Sequence, residues 1–72
     1  MRLTDRQAEI VAWIRQFWAE HGYGPSMQEI ADGVLVGKST AFRAVALLAD
    51  RGVLAYTPGV NRSVRILEQR LH

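Results

Sequence analysis

The chain has 72 residues and a mass of 8.1 kDa, enough for one domain around one small core. Its 49% hydrophobic and 22% charged residues argue against disorder; the absence of cysteine excludes disulfides and thiolate metal sites, and two distant histidines, His21 and His72, make no His-rich one. The net charge of +2 conceals an asymmetry: residues 1–36 sum to −2, whereas residues 37–66 carry Lys38, Arg43, Arg51, Arg62 and Arg65 against Asp50 alone.

The first predicted element is a helix opened by a capping box, Thr4 with Gln7 three residues on, and by Asp5 at the positive end of the helix dipole. Ile10, Val11, Trp13, Ile14, Phe17 and Trp18 form its apolar stripe, which assigns both tryptophans to packing. Gly22-Tyr23-Gly24-Pro25 ends it, with Gly22 suited to a left-handed cap, His21 at the helix C-terminus and Tyr23 over the end of the core. A second capping box, Ser26 with Glu29, opens a short helix from Met27 to about Val34, with Ile30, Ala31 and Val34 inward. Leu35 to Gly37 make a tight turn. A third helix follows from about Lys38 to Arg51, with Ala41, Val45 and Leu48 on its inner face and Gly52 as its stop.

Beyond Gly52 the period changes. Residues 53–57 read as a strand, Pro58-Gly59 as a turn, and residues 62–66 as a returning strand in which Val64 and Ile66 alternate with Ser63 and Arg65. The tail, 67–72, is expected to fray. The whole is one domain, mainly α with a small β-hairpin. A short helix, a tight turn and a longer helix, followed by a basic hairpin, predict a winged helix-turn-helix.

That geometry would put the third helix in the major groove of double-stranded DNA. Lys38 and Ser39 are candidates for phosphate, helped by free amides at the helix start. Thr40 is a candidate base reader, Arg43 a bidentate partner for guanine, and Phe42 a contact for a thymine methyl. Capping alone also accounts for Lys38, Ser39 and Thr40, and an exposed Phe42 is more often a packing residue than a reader. In the wing, Asn61, Arg62 and Arg65 are candidates for phosphate or the minor groove, against the reading of a merely solubilising surface. Ser26 and Gln28 are candidates for a phosphate contact, with capping an equal reading of Ser26. A homodimer on a two-fold site is a possible assembly.

A rival reading is a protein-interaction module, such as a phage-encoded inhibitor or adaptor of a host complex; outward Phe42, Ala46 and Leu47 favour it. No catalytic triad and no Gly-rich phosphate loop is present in the sequence, so no enzyme activity, cofactor or metal is expected. Without a membrane-span-length apolar run or a signal-peptide core, a cytoplasmic location and no membrane partner are expected.

Several stretches resemble the N-terminal DNA-binding domain of LexA-type repressors. They are Leu3-Thr4-Asp5-Arg6-Gln7, Ile14-Arg15, His21-Gly22-Tyr23-Gly24-Pro25-Ser26, Glu29-Ile30-Ala31, the Leu47 to Leu54 stretch, and Arg62-Ser63-Val64-Arg65-Ile66-Leu67. The resemblance spans about residues 3–67 and implies a bacterial or phage transcriptional regulator that acts by repression in the manner of that family. The family enters its third helix through a serine-proline stretch about one residue longer, whereas this chain has Val36-Gly37-Lys38-Ser39-Thr40-Ala41. The family's operator preference therefore does not transfer. The self-cleaving serine–lysine domain that also dimerises such repressors has no counterpart in these residues, which implies a DNA-binding module alone.

Overall fold

Thr4 fixes where the chain first becomes helical. Its hydroxyl accepts from the Gln7 amide at 3.1 Å, and the Gln7 side-chain carbonyl accepts from the Thr4 amide at 3.0 Å. The computed structural model, which describes residues 3–67, accordingly begins α1 at Asp5 and carries it to His21. Gly22 closes α1 in the left-handed conformation, at φ 77°, where a side chain would be strained. Ser26 and Glu29 repeat the reciprocal cap at the start of α2, Met27–Gly33, with Val34 as the C-terminal cap. After the turn, α3 runs Lys38–Asp50, and the left-handed Gly52 follows its last turn.

The core is the meeting of three helical stripes and the wing. Ile10 and Ile14 from α1, Ile30 from α2, and Ala41, Val45 and Leu48 from α3 are all fully buried, and Leu54 and Val64 close the core from the hairpin. At roughly 25 cal/mol per Å² of apolar surface, these few side chains are what offsets the entropy of ordering the chain. Trp13 and Trp18 are half-buried and pack on the edge of this cluster. No helix of the described residues is long and apolar enough to cross a membrane.

The hairpin is shorter than the sequence pattern predicts. Its antiparallel strands are β1, Leu54–Ala55, and β2, Arg65–Ile66, with Leu54 opposite Ile66 and Ala55 opposite Arg65. Two features divert the ladder. Arg62 adopts a left-handed backbone, φ 60°, which takes the chain out of strand geometry. The Ser63 hydroxyl accepts from the Thr57 amide at 2.8 Å and lies within donating reach of the Thr57 and Val60 carbonyls, so a side chain closes the wing where backbone pairing stops. The Val64 carbonyl points away from β1 and accepts from the Trp18 indole N–H at 2.9 Å, which ties the returning segment to α1. Leu67, placed in the tail by its sequence, donates its amide to the Val53 carbonyl at 3.0 Å; the other tail residues, 68–72, lie outside the described residues.

The turn between α2 and α3 holds Leu35 at φ 58° with 89% of its surface exposed. The Val36 amide reaches back to the Ala31 carbonyl at 3.0 Å and so tightens the turn. This sets α3 across α2 with its first residues facing outward.

Candidate nucleic-acid interface

The first two helices satisfy their leading amides with side chains, and the third does not. Its N-cap is Gly37, which offers no side-chain oxygen. Capping is therefore not the role of Lys38, Ser39 and Thr40, all of which are exposed in the first turn of α3. With free amides and the positive end of the helix dipole beside them, they make a surface suited to anionic oxygens. Arg43 is exposed one turn along from Ser39, and among the described residues neither Lys38 nor Arg43 forms an ion pair. Both charges are thus available to a ligand.

Phe42 is 47% exposed, but it is not loose. Its ring meets Tyr56 edge to face, with centroids 6.1 Å apart and planes at 87°. The packing and exposure weighed against each other in the sequence thus coexist in one side chain. Ala46 is half-buried and Leu47 is 40% exposed, so the outward apolar surface of α3 is smaller than its sequence suggests.

A groove of about 290 Å³ runs between the start of α3 and the wing. Lys38 and Phe42 line it from α3, Val60, Asn61 and Arg62 from the wing, and Pro25 and Met27 from the start of α2. The structure therefore brings together Lys38, Phe42, Asn61 and Arg62 from the predicted set, with Ser39, Thr40 and Arg43 on the adjoining face of α3. Arg65 is not part of this groove. It lines a separate recess with Arg15, Trp18 and Ile66, because β2 lies against α1.

Two predicted phosphate contacts are occupied with internal work. The Ser26 hydroxyl caps α2, accepting from the Glu29 amide at 3.1 Å. The Gln28 amide donates to the Asp32 carboxylate at 2.9 Å. Arg62 is the largest departure in geometry from the sequence reading. Its guanidinium turns back from the wing and grips the Glu29 carboxylate with two hydrogen bonds, 2.7 and 3.1 Å. It also donates to the Gly24 carbonyl at 3.2 Å and lies 5.0 Å over the Tyr23 ring. Glu29, read from sequence only as half of a capping box, is thus also the anchor of the wing.

The Arg62 guanidinium, ahead of the Ser26 amide, holds the Glu29 carboxyl below its usual value of 4.5, and Glu29 in turn raises Arg62. A carboxylate whose folded value is depressed stabilises the fold fully above the unfolded value, and loses that contribution as pH falls through the folded one. The melting temperature of Arg62→Met is therefore expected to lie below that of the parent at neutral pH. The gap should narrow as pH drops below 4.5, leaving the share owed to the Gly24 and Tyr23 contacts. A gap that stays constant in melts between neutral and strongly acid pH would mean the pair contributes nothing.

Comparison with known proteins identifies the family. The family described as LexA DNA binding domain matches residues 1–63. A LexA repressor of Pseudomonas chlororaphis is 37% identical over 67 residues, covering 92% of this chain and 33% of that protein. A LexA repressor of Pseudomonas aeruginosa (strain LESB58) is 36% identical over 66 residues, covering 90% of this chain and 32% of its own length. The chain thus spans about a third of the curated relatives it matches. The three helices, the tight turn and β1 lie within the matched residues 1–63, and the chain belongs to the LexA DNA-binding domain family.

Proposed function

We propose that this protein binds double-stranded DNA in a sequence-specific manner and acts as a transcriptional repressor. The observation that carries the reading is the uncapped, unpaired start of α3, where Lys38, Ser39, Thr40 and Arg43 share one exposed face beside the groove. On this reading α3 enters the major groove. Lys38 and the free amides hold phosphate, Thr40 and Arg43 meet base edges, and Asn61 on the wing touches the flanking backbone. Arg62 serves by holding the wing at its angle to α3. One module of this size offers a small interface, so two copies on a two-fold site would supply the affinity a regulator needs.

The test is selection of bound fragments from a random duplex pool, followed by gel shifts at two salt concentrations. Salt-sensitive retention of an enriched sequence supports the reading. Arg43→Ala is expected to cost about 1–3 kcal/mol on that sequence and to relax preference at one base pair. An unchanged base preference would remove Arg43 from the readout. The exposure of Leu35, Phe42 and Leu47 favours a second reading, a surface for another protein. Absence of any enriched duplex, together with a complex formed with a protein partner, would favour that one.

A further inference from the structure

We infer that Phe42, fixed by Tyr56, forms a rigid apolar plate that selects the 5-methyl group of a pyrimidine in the major groove. The inference rests on the DNA-binding reading above and names the base feature that this surface recognises. Phe42 follows the buried Ala41 on α3, so the helical turn directs it outward while its neighbour stays in the core. It lies one turn after Lys38 and beside Arg43, among the very residues whose charges suit a duplex. An aromatic ring left 47% exposed in such a place repels water without binding phosphate.

The ring is also held. Tyr56, half-buried and packed against the core just after β1, meets it at 87° and limits its swing. A surface fixed in this way presents the same contact before and after binding, with little side-chain entropy left to lose. Base edges in the major groove offer hydrogen-bond donors and acceptors, and one apolar group, the pyrimidine 5-methyl. Thymine supplies it in ordinary DNA, and 5-methylcytosine supplies the same group at the same place. Tyr56 is then a positioning residue: it touches Phe42 and not the base.

The test begins with a duplex enriched from the random pool. Each thymine is replaced in turn by deoxyuridine, which removes the methyl and nothing else. At one position the parent protein is expected to bind about fourfold more weakly, the worth of one buried methyl. With Phe42→Ala the ratio between the thymine and uridine duplexes falls to about one. Tyr56→Ala lowers that ratio as well, whereas Tyr56→Phe retains it, an outcome that a purely structural loss of affinity would not produce. At the same position, 5-methylcytosine binds about fourfold more tightly than cytosine. Circular dichroism melts establish that each variant is folded; if Tyr56→Ala is not, Phe42→Ala on the solvent side of the pair decides the matter.

A retained duplex with no methyl-sensitive position overturns this inference alone. So does a methyl effect that survives Phe42→Ala, or no gain from 5-methylcytosine. If the pool yields no enriched duplex, the DNA-binding reading fails first, and this inference falls with it.

Discussion

Gly24→Ala is expected to lower stability by about 1–3 kcal/mol, the usual cost of forcing extra atoms into a packed site. A Cβ at this position would stand 2.5 Å from the Val64 carbonyl oxygen and 2.9 Å from that of Arg62. It would also lie 3.3 Å from Cζ2 of Trp18. Two of these neighbours are backbone, and both belong to the wing. They cannot swing aside as a long side chain does. Making room means moving residues 62–64 away from the α1–α2 corner, which strains the bond from the Trp18 indole to Val64 and the reach of Arg62 to Gly24 and Glu29. A domain this small has only about 4–10 kcal/mol of stability in all. Urea unfolding followed by tryptophan emission gives the loss directly. An unchanged midpoint would show that the wing is not seated against Gly24 in solution.

Ile30→Ala is expected to cost more, about 2–5 kcal/mol, and to leave much of the chain unfolded at moderate temperature. Ile30 is fully buried and belongs to the cluster formed with Ile10, Ile14, Val45 and Leu48. Seven residues are too few for α2 to be helical on local propensity. Its capping box and its buried face against α1 and α3 hold it in place. Removing three carbons from that face opens a void where the helices meet, and α2 has no length with which to collapse into it. Asp32→Ala, on the exposed side of the same helix, should change stability by less than about 0.5 kcal/mol. Equal effects of the two substitutions in calorimetric melts would refute the assignment of Ile30 as the anchor.

The helices are legible in the sequence because their signals are local. A threonine three residues before a glutamine, or a serine three before a glutamate, states where a helix starts without reference to the rest of the chain. The apolar stripes at helical spacing likewise identify Ile10, Ile14, Ile30, Val45 and Leu48 as inward-facing. The wing is different. What sets its path is a hydrogen bond across 46 residues, from Trp18 to Val64, and an ion pair across 33, from Arg62 to Glu29. Alternation of apolar and polar residues predicts strands over 53–57 and 62–66, but it contains nothing about an indole and a carboxylate that pin the returning segment to the helices.

The same distinction applies to the candidate site. Lys38, Ser39, Thr40 and Arg43 are placed outward by helix periodicity alone, and the structure leaves them there. Ser26, Gln28 and Arg62 look equally available in the sequence, but each has an internal partner. For Ser26 the capping motif carries that signal. For Arg62 no local pattern does, since Glu29 satisfies its own motif before the arginine is considered. The support that Tyr56 gives to Phe42 was likewise invisible, because those residues share no element.

The bond between Trp18 and Val64 also bears on the order in which the molecule assembles. The indole donor of α1 is satisfied by a residue that leaves the ribosome 46 positions later. The closing of so long a loop precedes the contacts that reward it. The helical triad can gather on the nascent chain, but its tryptophan edge stays wet until Val64 itself has emerged from the ribosome.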